Sequence, residues 1–110
     1  MENHFSRIAG KQALDDLINR SNQEPVVIFK HSTTCPLSAA AYSEMERVPG
    51  QVCLVEVQNG QELSREIEAR TGIEHQSPQV IILRNGKAVW HASHWKIKTE
   101  SVEQAARENA

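Results

Sequence analysis

Four consecutive apolar residues, Val80-Ile81-Ile82-Leu83, followed by Arg84 and then Asn85-Gly86, constrain this chain more than any other stretch. A strand with one wet face alternates apolar and polar residues, whereas an unbroken apolar run requires cover on both faces. The fold must therefore be layered, with helices on each side of a sheet that contains this strand in its interior. Asn-Gly is the preferred pair for a two-residue type I′ turn, so Lys87 to Ala92 is expected to return antiparallel beside it.

The rest of the chain supplies the covering elements. Ala13, Leu14, Leu17 and Ile18 recur at helical spacing and predict a helix over about Lys11 to Ser21. Pro25 then leads into the apolar run Val26-Val27-Ile28-Phe29. A second helix is expected to open at Cys35, with Pro36 in its first turn and Pro49-Gly50 ending it. Val52 to Val57 reads as a strand bounded by Asn59-Gly60. Glu62 to Arg70 forms a third helix, with Gly72 as its left-handed C-terminal residue. Thr99 is placed to cap a last helix that runs to about Arg107. The order αβαβαββα, with a crossover helix between parallel strands and a closing hairpin, predicts an α/β domain over residues 1–110 built on a mixed four-stranded sheet.

Composition narrows the function classes. A net charge of −2, with Lys and Arg spread along 110 residues, offers no basic footprint for nucleic acid or an anionic membrane. No apolar stretch approaches the roughly 20 residues of a membrane span, and Met1-Glu2-Asn3-His4 lacks the pattern of a signal peptide. A cytoplasmic protein with free thiols is expected, because Cys35 and Cys53 sit in unlike contexts.

Cys35 carries the chemistry. A thiol at the junction of a strand, a short loop and a helix N-terminus meets unpaired backbone N–H groups and the positive end of the helix dipole, which favour thiolate over thiol. Ser38 follows one turn later; it either donates to that thiolate or bonds backbone in the first helical turn. Cys53, within Val52-Cys53-Leu54-Val55, reads as a core residue. His31, His75 and His94 are expected at one end of the sheet, where a histidine can supply charge or move a proton. Five histidines and two cysteines show no zinc-ligand spacing, so no metal is expected. Trp90 and Trp95 form either an apolar rim or part of the core.

A reactive cysteine after the first core strand and a Ser-Pro pair before the third resemble the thioredoxin-like arrangement, in which that proline is cis and faces the active thiol. Lys30-His31-Ser32, Thr34-Cys35-Pro36-Leu37-Ser38, His75-Gln76-Ser77-Pro78-Gln79 and Asn85-Gly86-Lys87-Ala88-Val89-Trp90 through Ser93-His94 are together similar to the small monothiol bacilliredoxins of the YtxJ type. The resemblance implies that Cys35 is the nucleophile, with Thr34, Pro36, Ser38, His31, Ser77 and Pro78 supporting it. A cis Pro78 presents the backbone of Ser77 or Gln79 to an extended substrate segment. The resemblance also implies no bound cofactor, bacillithiol as co-substrate, and S-bacillithiolated proteins as partners. Ser38 stands where a dithiol enzyme has its resolving cysteine, so a second low-molecular-weight thiol or a partner's thiol must resolve the intermediate. Two other readings use the same cysteine. One is a glutaredoxin-like iron–sulfur carrier, disfavoured by Pro36 in place of glycine and by the missing downstream Gly-Gly; the other is a redox-sensing binding module.

Overall fold

The computed structural model describes residues 4–34 and 36–110. Along the chain run β1 (Phe5–Arg7), α1 (Lys11–Arg20), β2 (Val26–His31), α2 (Pro36–Glu46), β3 (Val52–Glu56), α3 (Gln61–Thr71), β4 (Gln79–Arg84), β5 (Lys87–Ser93) and α4 (Thr99–Glu108), with a 3₁₀ turn at His94–Lys96. The sheet order is β1-β3-β2-β4-β5. It is mixed, as expected, but has five strands where the sequence predicts four. The added strand is Phe5-Ser6-Arg7, paired parallel to β3 with Phe5 opposite Val52. Three residues, none of them fully buried, carry too little periodicity to declare a strand, and neighbouring β3 supplies the pattern.

Alternation along the strands builds two cores. Val27, Phe29, Val52, Leu54, Val80 and Ile82 face α2 and α4, where they meet Ala41, Met45, Val102 and Ala105. Val26, Ile28, Cys53, Val55, Ile81 and Leu83 face α1 and α3, where they meet Leu14, Leu63 and Ile67. Both faces of β4 are thus covered, which accounts for the unbroken apolar run Val80–Leu83 between Gln79 and Arg84; the middle of the sheet, however, is β2. Asn85 and Gly86 have φ of 56° and 75°, the two positive values that a type I′ turn needs. A bulge between Ile82 and Leu83 shifts the register of the hairpin.

The start of α4 differs from expectation. Lys98 is the N-cap and no side chain caps from that position. Thr99 lies one residue inside the helix, and its Oγ1 bonds the Glu44 carbonyl at 2.8 Å and the Glu44 carboxylate at 2.7 Å. The carboxylate also accepts the Thr99 N–H at 2.8 Å, so a residue of α2 satisfies the end of α4. A cap from 55 residues away leaves no local signature. Trp90 is partly buried against the α2/α4 core, whereas Trp95 is 70% exposed.

Candidate functional site

Parallel β2 and β3 finish, and antiparallel β4 begins, at the same edge of the sheet. Three segments meet there: the loop Ser32–Thr34 after β2, the residues after β3, and the loop that ends in Ser77-Pro78. Cys35 lies outside the described residues; Thr34 and Pro36, on either side of it in sequence, are described, and α2 begins at Pro36.

The loop before α2 is held from two directions. Ser38 is fully buried in the first turn of α2, and its Oγ accepts the Ser32 N–H at 3.2 Å. That bond uses an acceptor lone pair and leaves the hydroxyl proton for a second partner. Gln58, two residues beyond β3, turns its side-chain oxygen to the same loop. It accepts the N–H groups of Thr33 at 2.8 Å and Thr34 at 3.2 Å, with the Thr33 hydroxyl at 2.9 Å. Sequence reasoning misses Gln58, because glutamine in a turn-like Gln58-Asn59-Gly60 stretch has no feature that distinguishes a clamp from a solvated side chain.

Consecutive residues of β2 send their side chains to opposite faces. His31 joins the α2 face, its ring 5.5 Å from Phe29 and 5.0 Å from Tyr42. Its Nδ1 is buried without a hydrogen-bond partner. Burial lowers its pKa from the usual 6.5, against the nearby Glu56 carboxylate, so the ring is neutral at pH 7. A neutral imidazole supplies no positive charge, but it can accept or pass a proton. Lys30 takes the opposite face and is fully buried. Its ammonium donates to His75 Nδ1 at 3.1 Å, and burial drives its pKa down to about 8 although Glu68 opposes the shift. Lys30 thereby fastens the loop that precedes Pro78 to the strand that leads to Cys35.

The Ser77–Pro78 peptide is cis, as the resemblance implies. Pro78 is buried, its carbonyl accepts the His94 N–H at 3.1 Å, and the Ser77 hydroxyl is buried with no partner. His94 itself adopts a positive φ of 54°. The three predicted histidines thus border one edge of the sheet but do not converge: His31 lies on the α2 face, His75 on the α3 face, and His94 beyond β5. Among the described residues no group of three His, Cys, Asp or Glu side chains could hold a metal ion. None of the described helices is long and apolar enough to cross a membrane.

Cys53 is 2% exposed on the α1/α3 face, with Arg20 Nη2 3.8 Å from its sulfur. Burial raises its pKa despite the guanidinium. This is a protonated core thiol.

Comparison with known proteins agrees with this architecture. A solved structure described as a candidate oxidoreductase with a thioredoxin fold is 30% identical, with a TM-score of 0.84 over 92% of each chain. A point mutant of thioredoxin from Halobacterium salinarum is 14% identical with a TM-score of 0.74 over 96% of this chain and 89% of its own. Thioredoxin from Fasciola hepatica is 16% identical with a TM-score of 0.72 over 94% and 98%. The fold is thioredoxin-like. The model of the monothiol bacilliredoxin family BrxC matches residues 6–102, nearly the whole chain. A thioredoxin-like sheet with a cis-proline loop and one cysteine sealed in its core thus belongs to the monothiol bacilliredoxin family, whose chemistry is thiol redox exchange.

Proposed function

We propose that this protein removes bacillithiol from S-bacillithiolated proteins in the cytoplasm, with Cys35 as the only exchanging thiol. The Cys35 thiolate attacks the bacillithiol sulfur of a protein–bacillithiol disulfide. The old S–S bond breaks, the client thiolate leaves and takes a proton from water, and Cys35 keeps the bacillithiol as its own mixed disulfide. A second bacillithiol thiolate then attacks that bacillithiol sulfur, which releases bacillithiol disulfide and restores Cys35. Two electrons pass from bacillithiol to the client in the full cycle.

The observation that carries this reading is the burial of Cys53. A thiol that is 2% exposed in a central core and held protonated is a poor resolving group, and Ser38 cannot form a disulfide. An external thiol must therefore complete the cycle. Thr34 and Pro36 flank the nucleophile, Ser38 and Gln58 hold the loop, and His31 is a neutral proton acceptor on the α2 face. The cis Ser77–Pro78 peptide offers backbone to an extended client segment.

The test is to incubate the reduced protein with a bacillithiolated client and follow the client by mass spectrometry. Wild type and Cys53→Ala are expected to free the client thiol, while Cys35→Ser leaves the rate at background. An adduct that persists on the client while wild-type Cys35 is shown to be reduced contradicts the proposal.

A further inference from the structure

Two Asn-Gly pairs occur in the chain, Asn59-Gly60 and Asn85-Gly86, and the fold restrains them unequally. An asparagine before glycine is open to attack on its own side chain, because the next residue has no Cβ to shield its backbone nitrogen. At Asn85-Gly86 both reacting groups are held. The Gly86 N–H donates to Ser21 Oγ at 2.9 Å, the Asn85 N–H donates to the Ser21 carbonyl at 2.7 Å, and Arg84 Nη1 donates to Asn85 Oδ1 at 3.2 Å. The Asn85 side-chain carbon cannot reach the Gly86 nitrogen without breaking this set. Asn59-Gly60, in the turn between β3 and α3, lacks such restraint. The exposed Asn59 side chain makes no hydrogen bond with a described residue, and the Gly60 N–H donates to the Val57 carbonyl over a long 3.4 Å. Space, not a positive φ, disfavours any side chain at 60: φ is −131°, and a Cβ there would meet the Glu56 carbonyl oxygen at 3.1 Å and Val55 Cγ1 at 3.3 Å. The packing that favours glycine therefore leaves a free asparagine side chain beside an unshielded nitrogen.

Asn59 stands between two fixed points. On one side, Val57 donates its N–H to the His31 carbonyl at 3.0 Å, and Gln58 accepts the N–H groups of Thr33 at 2.8 Å and Thr34 at 3.2 Å. On the other, the Gly60 carbonyl accepts the Ser64 N–H at 2.8 Å and anchors the first turn of α3. A change of main-chain length at residue 59 must be taken up by one of these contacts.

We propose that Asn59 is a self-modification site, and that its conversion to isoaspartate loosens the hold of Gln58 on the loop after β2. The Gly60 nitrogen loses its proton to hydroxide and bonds to Asn59 Cγ; the bond from Cγ to the side-chain nitrogen breaks, and that nitrogen leaves as ammonia. The product is a cyclic imide. One water then opens the ring: addition at Cγ gives aspartate, whereas addition at the main-chain carbonyl gives isoaspartate, whose main chain runs through Cγ. No electrons are transferred. The isoaspartate product carries one more main-chain carbon, about 1.5 Å of added path, between Gln58 and Gly60. This chemistry does not depend on the exchange reaction proposed above.

The experiment incubates the full chain near neutral pH, folded and in urea, and follows residues 59 and 85 by peptide mass spectrometry with chromatographic separation of the isoaspartate form. In urea the two pairs are expected to convert at comparable rates. In the folded protein Asn59 is expected to convert at least about tenfold faster than Asn85, whose hydrogen bonds must break first. Amide hydrogen exchange at Thr33 and Thr34, read by NMR, reports the hold of Gln58. Protection there is expected to fall roughly two- to tenfold in the isoaspartate fraction and in Gln58→Ala, the range of one lost hydrogen bond. Asn59→Asp, which adds the charge without lengthening the main chain, is expected to keep it. Equal conversion of Asn59 and Asn85 in the folded protein overturns the proposal, as does unchanged protection of Thr33 and Thr34 in the isoaspartate fraction or in Gln58→Ala.

Discussion

Lys30 shows how a single residue reports on the site. A fully buried ammonium with its pKa lowered to about 8 is held more weakly by the folded chain than by the unfolded one, where the value is near 10.5. Between those values the unfolded state binds more protons, so stability attributable to Lys30 rises with pH across that window. Relative to Lys30→Met, wild type is expected to gain up to about 3 kcal/mol of unfolding free energy between pH 8 and 10.5. Denaturant unfolding of both proteins over that range checks this; a difference that does not change with pH contradicts it. Below pH 8 Lys30 is charged, and its ammonium fastens His75, and with it the loop that carries Ser77 and Pro78, to β2. The sequence singles out His75 but not its partner, because an apolar strand run ending in Lys-His reads as a strand reaching solvent. Alternation and the cover of α3 put Lys30 inside instead.

At the scale of elements, α2 also meets the start of α4 through a polar contact with a measurable signature. Glu44 accepts the first helical N–H and the hydroxyl of Thr99, and these bonds, with Arg47 beside it, hold its pKa down to about 2 from the usual 4.5. A lowered carboxylate pKa gives stability that is present above the unfolded value and is lost as pH falls toward the folded one. Glu44→Ala is expected to cost about 1–2 kcal/mol at pH 7, the range of a lost helix cap, and the gap to wild type should close between pH 4.5 and 2. Chemical denaturation as a function of pH measures it, and a gap that stays open at pH 2 argues against the cap. Elements with local signatures were legible in the sequence: the Asn85-Gly86 hairpin, the unalternating β4, and Gly72 with its left-handed φ of 74° at the end of α3. Features made by distant partners were not. The edge strand β1 exists because β3 pairs with it, Thr99 is occupied by Glu44, and Gln58 becomes a clamp only once β3 ends beside the loop after β2.

Over the whole molecule, the two cores divide the labour. The α2/α4 face carries His31 against Tyr42, and the α1/α3 face carries Lys30, His75 and the buried Cys53. Both faces end at one edge of the sheet, where parallel β2 and β3 stop and the cis-proline loop returns. In the function proposed above, the client approaches this edge through the Pro78 loop. Sheet alternation points Cys53 into the core, and the first turn of α2 carries Ser38 and no second cysteine. The account rests on Cys35 reacting as a thiolate at neutral pH. The most direct measurement is the rate of iodoacetamide alkylation of Cys35 against pH in the Cys53→Ala variant, which leaves one titrating thiol. The predicted midpoint lies clearly below the unperturbed cysteine value of about 8.5, and a midpoint at or above it contradicts the account.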